Sequence, residues 1–191
     1  MEAFTSDKAR AWCSRVGPKM TRDGLLKYKG STANRFFVLA PDVFREITVF
    51  SRAVLTFRGE DDFSGGMLWL RRWDIGSPQL VRVGWRIVEK MRQAQGESRP
   101  LESAPAAIFR DDELIELHAL LVQVIGFGWV ADFVRPTGDF FLHFKSNRQV
   151  CFTADSASTL KELREAFSEW NPTDDDPMLV KMRAIEKARS G

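Results

Sequence analysis

The chain has 191 residues, of which 44% are hydrophobic and 28% charged, and its 28 Lys and Arg residues against 26 Asp and Glu residues give a net charge of +2. This composition excludes a disordered or collagen-like chain, and a chain of this length can bury about 70% of its unfolded surface. The small net charge excludes nucleic-acid binding by overall electrostatics alone.

The N-terminal region holds the largest local excess of positive charge. Residues 1–35 contain eight Lys or Arg residues and three Asp or Glu residues. Apolar residues at helical spacing predict a helix that begins near Ser6 and ends at Gly17. We interpret this basic N-terminal helical arm, about residues 1–34, as a solvated surface, with phosphate or an acidic partner as the alternative.

The middle of the chain alternates between strand and helix patterns. In chain order, the predicted elements are a loop over 19–34, a strand over 35–40, a helix over 43–54, a strand over 67–73 and a helix over 78–94. The pair Ser77 and Pro78 is typical of an N-cap followed by the first helical residue.

A long connection and a buried helix follow. Residues 95–109 contain two prolines and show little periodicity, which is typical of a lid, a partner-binding loop or disorder. Asp111 and Asp112 then place negative charge at the start of a helix that ends at Gly126.

The strongest pattern lies in residues 129–153, which predict three antiparallel strands joined by tight turns. The strands are Trp129–Val134, Asp139–Lys145 and Arg148–Thr153. Because the middle strand is apolar on both faces, we expect it to be central and covered twice. The residues predicted to share one buried face are Trp129, Ala131, Phe133, Phe140, Leu142 and Phe144.

Loop lengths determine the predicted register of this meander. A four-residue first loop pairs Val134 with Asp139, which makes Asp132 and His143 diagonal neighbours on one face. A two-residue second loop places His143 opposite Val150.

Two helices are predicted after the meander. Ser156 caps the first, and the Asp176-Pro177 pair begins the second, which covers about 177–189. The second helix has a thin apolar stripe, so we expect it to dock on its own domain or on a second copy. The stripe residues are Met178, Leu179, Met182 and Ile185.

The order of these elements predicts an α+β protein. We expect a single domain over residues 1–191, with a mostly antiparallel sheet, a C-terminal three-stranded meander at about 129–153 and helices that cover the sheet. The strict strand–helix alternation of a doubly wound fold is missing.

The sequence also lacks the common metal-binding, nucleotide-binding and hydrolase motifs. The sequence contains no HExxH, CxxC, GxxxxGK[ST], GxGxxG or GxSxG pattern, so we expect no metal site and no cofactor. Cys13 and Cys151 are predicted to be small core residues. The first residues lack an apolar signal segment and the longest apolar stretch, 114–134, is interrupted by polar residues, so we expect a cytoplasmic protein with no membrane contact.

The best acid–base pair in the sequence is Asp132 with His143. A carboxylate can orient an imidazole and raise its basicity, as a general base requires. A core histidine explains the pattern more simply, in which case His143 makes one hydrogen bond and lines no large pocket. His118 lies on an apolar helical stripe and is interpreted as a packed core side chain.

Arginines beside tryptophans form a second candidate site. The residues are Arg71, Arg72, Trp73, Trp85 and Arg86. Guanidinium groups near aromatic faces suit an anionic ligand, although arginines on an ordinary surface give the same pattern. The predicted anion-binding residues are Arg71, Arg72, Trp73 and Arg86.

Because the sequence lacks the usual groups of catalytic residues, it favours a non-enzymatic binding or regulatory module. Such a module could be an immunity-type protein that masks a protein partner, or a module that self-associates. The alternative is a small-ligand enzyme, in which Asp132 and His143 form the acid–base pair while Arg71, Arg72 and Arg86 hold an anionic substrate. A deep pocket lined by these five residues would favour the enzyme. Nucleic-acid binding through the basic arm ranks third.

Overall fold

The computed structural model describes residues 1–28, 34–59, 63–74 and 78–189. Its strands are β1 (Glu2–Phe4), β2 (Lys19–Met20), β3 (Leu26–Lys27), β4 (Arg35–Leu39), β5 (Met67–Arg72), β6 (Ala106–Ile108), β7 (Val130–Val134), β8 (Phe140–Phe144) and β9 (Gln149–Ala154). Its α-helices are α1 (Ser6–Val16), α2 (Phe44–Leu55), α3 (Pro78–Ala94), α4 (Leu114–Gly126), α5 (Ala157–Ala166) and α6 (Pro177–Arg189). The N-cap predicted at Ser77 lies outside the described residues.

Seven of the strands form one sheet in the order β1-β6-β5-β7-β8-β9-β4, and β2 and β3 form a separate hairpin. Every neighbouring pair in the sheet is antiparallel. The α+β fold with a β7-β8-β9 meander, predicted from the sequence, is therefore confirmed.

Helices lie on both faces of the sheet. The larger core combines one sheet face with side chains of α2, α3, α4 and α5, including the predicted Trp129, Phe133, Phe140, Leu142 and Phe144. The smaller core lies on the other face, where Ala9, Trp12 and Cys13 of α1 pack against β5, β7 and β8. The middle strand β8 is thus covered twice, as its apolar composition predicts. Within residues 1–28, β1 pairs with β6 and α1 packs against the sheet.

The sequence pattern missed the short strands at one edge of the sheet. Strand β6 lies inside the segment 95–109, and Leu101, Ala104 and Phe109 of that segment are buried. Strand β1 precedes the first predicted helix and pairs with β6. Each of these strands has three residues, which is too few to show an alternating pattern.

The predicted register of the second hairpin is wrong by one residue. Lys145 pairs with Gln149 across a three-residue loop, in which the Lys145 N–H donates to the Gln149 carbonyl over 2.8 Å. Arg148 closes the loop with a φ of 60°, the left-handed position of a type I turn with a bulge. His143 consequently lies opposite Cys151, and Val150 moves to the other face.

The predicted register of the first hairpin is wrong by two residues. Val134 pairs with Phe141 instead of Asp139, so Asp132 lies directly opposite His143. A shift of two residues leaves every side chain on its predicted face, because strand side chains alternate with a period of two. Asp132 and His143 are therefore neighbours, as predicted, but they lie directly opposite each other instead of diagonally.

Gly138, in the turn between β7 and β8, connects the meander to α1. Its φ of 66° is a conformation that favours glycine, and a Cβ atom there would overlap the Val16 carbonyl group. The Tyr28 hydroxyl donates to the Gly138 carbonyl over 2.7 Å. The absence of a side chain at Gly138 thus allows the end of α1 to approach the sheet.

We expect Gly138→Ala to lower the free energy of unfolding by about 3 kcal/mol or more, because backbone strain and overlap with α1 add together. Gly96→Ala is the matched control, since Gly96 also has a positive φ of 80° but nothing within 4 Å of an added Cβ. Backbone strain alone should cost the control about 1 kcal/mol. Urea denaturation measures both values, and equal losses would mean that the contact with Val16 contributes nothing.

Candidate functional site in a cleft beside Asp132 and His143

Three polar residues lie side by side across the centre of the meander. Asp132 on β7 is directly opposite His143 on β8, and His143 is directly opposite Cys151 on β9. Directly opposite residues of antiparallel strands project from the same face. The row lies on the face covered by α1, and its members are separated by about one strand spacing.

Asp132 is the buried anchor of this row, with only 1% of its surface exposed. One carboxylate oxygen lies 2.7 Å from Nδ1 of His143, and the other lies 3.4 Å from Nη1 of Arg71. Arg71 also donates to the Gly24 carbonyl over 2.6 Å and stacks on the Trp69 ring. Both oxygens of the buried carboxylate are therefore compensated, as a buried charge requires.

The hydrogen bond to Asp132 determines what His143 can do. When the carboxylate is ionised, Nδ1 donates to it and Nε2 carries the lone pair. Nε2 has no hydrogen-bond partner among the described residues, and the His143 side chain is 19% exposed. The free nitrogen can therefore accept a proton or a hydrogen bond from a bound molecule.

His143 lines a cleft of about 370 Å³, so the expectation that it lines no large pocket is wrong. Alternate residues of one strand form the cleft wall, because Phe141, His143 and Lys145 project from the same face. The apolar lining residues include Leu26, Phe37, Phe141 and Leu179. The polar lining residues include Lys27, Arg35, His143, Lys145, Thr153 and Asp176.

Positive charge predominates around the cleft. Lys145 is paired with Asp176 at 2.6 Å, whereas Lys27 and Arg35 have no carboxylate partner in the part of the chain that the structure describes. Arg35 lies over the Phe37 ring, which positions its guanidinium group at the rim. The cleft thus offers two uncompensated cations beside an apolar floor.

Cys151 is the member of the row that sequence reasoning did not connect with the site. Only 7% of its surface is exposed, yet it lines the cleft, and its Sγ lies 3.8 Å from the Thr153 hydroxyl oxygen. Burial raises the pKa of the Cys151 thiol, while the charges of Arg35 and Lys145 act in the opposite direction. The thiol is therefore protonated when the cleft is empty.

The predicted arginine–tryptophan cluster does not converge on this cleft. Arg71 joins Asp132, but Arg72 is exposed beside Asp74, and Trp73 packs against the larger core on the opposite face. Arg86 lies on the surface of α3. Arg71 and Arg72 are successive strand residues and point to opposite faces, and Trp73 follows the end of β5 after a register irregularity between Leu70 and Arg72.

The second histidine has a different environment. His118 on α4 is half-buried, and its Nε2 lies 3.0 Å from the Thr48 carbonyl oxygen of α2. This contact agrees with its interpretation as a packed side chain between helices.

Among residues 1–28, 34–59, 63–74 and 78–189, no three His, Cys, Asp or Glu side chains are grouped so that they could hold a metal ion. No helix in that part of the chain is both long and apolar enough to cross a bilayer. Comparison with protein-family models, with curated proteins and with solved structures finds no match to this chain.

We expect Asp132→Ala to lower the free energy of unfolding by about 3 kcal/mol, because it leaves Arg71 and His143 without their buried partner. Asp74→Ala removes an exposed carboxylate that pairs with Arg72, and should cost no more than about 1 kcal/mol. Thermal and urea denaturation of the two variants compare these values. Equal losses would show that the buried network does not stabilise the sheet.

Proposed function

We propose that this protein is a binding module whose site is the cleft at His143, and that it takes a small ligand with an anionic group. The observation that carries the proposal is the free Nε2 of His143, oriented by buried Asp132, inside a cleft of about 370 Å³. This volume lies within the usual range of small-molecule sites, which is about 300–1,000 Å³.

The charge and shape of the lining support an anionic ligand with an apolar part. Lys27 and Arg35 offer positive charge at the rim. Phe37 and Phe141 supply an apolar floor. A small aromatic or branched carboxylate fits this combination, because its charged end meets the rim while its apolar end leaves water.

Benzoate tests the proposal, with benzyl alcohol as its neutral counterpart. Titration followed by amide chemical shifts should show benzoate perturbing β4, β8 and β9, and benzyl alcohol should bind at least fivefold more weakly. Arg35→Gln should weaken benzoate binding at least fivefold, since it removes a rim charge. Arg72→Gln is the matched control because Arg72 is exposed elsewhere on the sheet. Equal binding of the two probes, or equal effects of the two variants, would contradict the proposal.

A second candidate function is self-association, in which we propose that α6 docks on a second copy of the chain. Four apolar residues of this helix remain 44–51% exposed, so α6 is only partly docked on its own domain. They are Leu179, Val180, Met182 and Ile185. Repeated apolar side chains on both copies would cover one another, and methionine adapts to an irregular contact.

Truncation tests this docking without removing the contacts that precede α6. Phe37 and Thr173 exchange two backbone hydrogen bonds, and Asp176 pairs with Lys145, so a chain that ends at Asp176 keeps these anchors. Light scattering should show the full chain associating as its concentration rises and the truncated chain remaining monomeric, with melting temperatures within about 3 °C. Identical masses at every concentration would eliminate α6 as a self-association surface.

We also propose a cellular compartment for the protein. Two buried free thiols, Cys13 and Cys151, support a reducing compartment such as the cytoplasm.

A further inference from the structure

We infer that Cys151 is a nucleophile in the cleft, and that His143 activates it by accepting the thiol proton as the sulfur bonds to an electrophilic carbon of the ligand. The inference rests on the proposed ligand site and adds a covalent reaction to it.

The order of residues across the sheet supports this assignment. The imidazole of His143 lies between Asp132 on one neighbouring strand and Cys151 on the other. A nucleophile, a base and a group that orients the base form the usual arrangement for activating a thiol or hydroxyl. Because Asp132 occupies Nδ1, Nε2 is the nitrogen left to take a proton from Cys151.

The surroundings of the thiol favour its reactive form during reaction. Arg35 and Lys145 favour a negative charge on Cys151, whereas Asp176 opposes it. The imidazolium formed when His143 takes the thiol proton adds positive charge beside the sulfur. Burial opposes the free thiolate, so the charge develops only as the proton moves to His143. The thiol is therefore inactive at rest and becomes reactive together with its base.

One movement of Cys151 is required. At rest its sulfur lies near the Thr153 hydroxyl group, and no hydrogen bond joins it to His143. A rotation about the Cα–Cβ bond takes Sγ from one staggered position to another without moving the strand. A ligand in the cleft can select the rotamer that faces His143, since both residues line the same space.

The chemical step that we assign is conjugate addition to an α,β-unsaturated carbonyl compound that also carries a carboxylate. The S–H bond of Cys151 breaks and its proton passes to Nε2 of His143, while a bond forms between Sγ and the β-carbon. The π electrons move to the α-carbon, which then takes the proton back from the imidazolium. The product has the combined mass of protein and ligand, and the step needs no leaving group and no oxidant.

Two maleimides test this step on the full chain. 3-Maleimidopropionate carries a carboxylate, and N-ethylmaleimide is its neutral counterpart. Intact-mass measurement and peptide mapping should find one addition, at Cys151, at least tenfold faster than at Cys13. Cys13 is the internal control because it is fully buried between α1 and the sheet and lies outside the cleft.

Variants and pH separate an activated thiol from one that is merely accessible. His143→Gln should slow the labelling of Cys151 at least tenfold, while His118→Gln, a histidine outside the cleft, should leave the rate unchanged. In the unsubstituted chain, the labelling rate should stop rising with pH well below the raised pKa of the Cys151 thiol, because a neighbouring base takes its proton. An unassisted thiol would instead react about tenfold faster with each pH unit up to its pKa. The pH profile requires no variant, so it remains decisive if His143→Gln fails to fold.

Three results would overturn the inference: labelling of Cys151 no faster than that of Cys13, equal rates in the two histidine variants, or an unassisted pH profile. The preference of the cleft for an anionic ligand is measured separately, from the rates of the two maleimides and from protection by benzoate. If both maleimides react equally fast and benzoate protects Cys151 from neither, the proposed anion site fails while the assignment of the nucleophile stands. If 3-maleimidopropionate reacts faster and benzoate slows it, both stand.

Discussion

The carboxylate of Asp132 constrains the centre of the sheet. It lies on β7, in the middle of the sheet, and is almost fully buried, so an unpaired charge there would cost several kcal/mol. Arg71 from β5 and His143 from β8 compensate its two oxygens, so three strands must meet in one register. A slip of β7 by one residue would turn the carboxylate toward the larger core, which consists of hydrophobic side chains. The buried ion therefore excludes alternative pairings that the apolar residues alone would tolerate.

The cleft exists because the second face of the sheet is only partly covered. Seven strands at about 4.8 Å spacing make a sheet roughly 30 Å wide, whereas the 11 residues of α1 form a helix about 16 Å long. The helix covers β5, β7 and part of β8, and Gly138 allows its end to lie close to the meander. Beyond it, the face over β8, β9 and β4 is bounded by β3 and by Asp176 and Leu179, which leaves the space at His143.

The sequence predicts elements better than it predicts the contacts between them. The sequence locates helices that have caps and a 3.6-residue period, such as α1 and α5. It also locates strands of five or six residues, such as β4 and β8, because these are long enough to show a pattern. The pair Asp132–His143 was found because an error of two residues keeps both side chains on the same face. The sequence does not connect Cys151 with the site because the predicted register of the β8–β9 hairpin is wrong by one residue. Arg148 causes this register error, since it occupies a left-handed position where a glycine would have indicated the longer turn.

The two histidines differ in the partners that hold them. His118 is held by a single backbone carbonyl between two helices, as a packing residue is. His143 is held at Nδ1 by a buried carboxylate, and its other nitrogen is left open in a cleft. Replacing a buried ion pair as a whole by apolar residues is often neutral or stabilising, so such a network is a weak means of stabilising a sheet. An imidazole with a defined tautomer, beside a thiol and the rim cations Lys27 and Arg35, is the arrangement that the proposed binding and proton transfer would use.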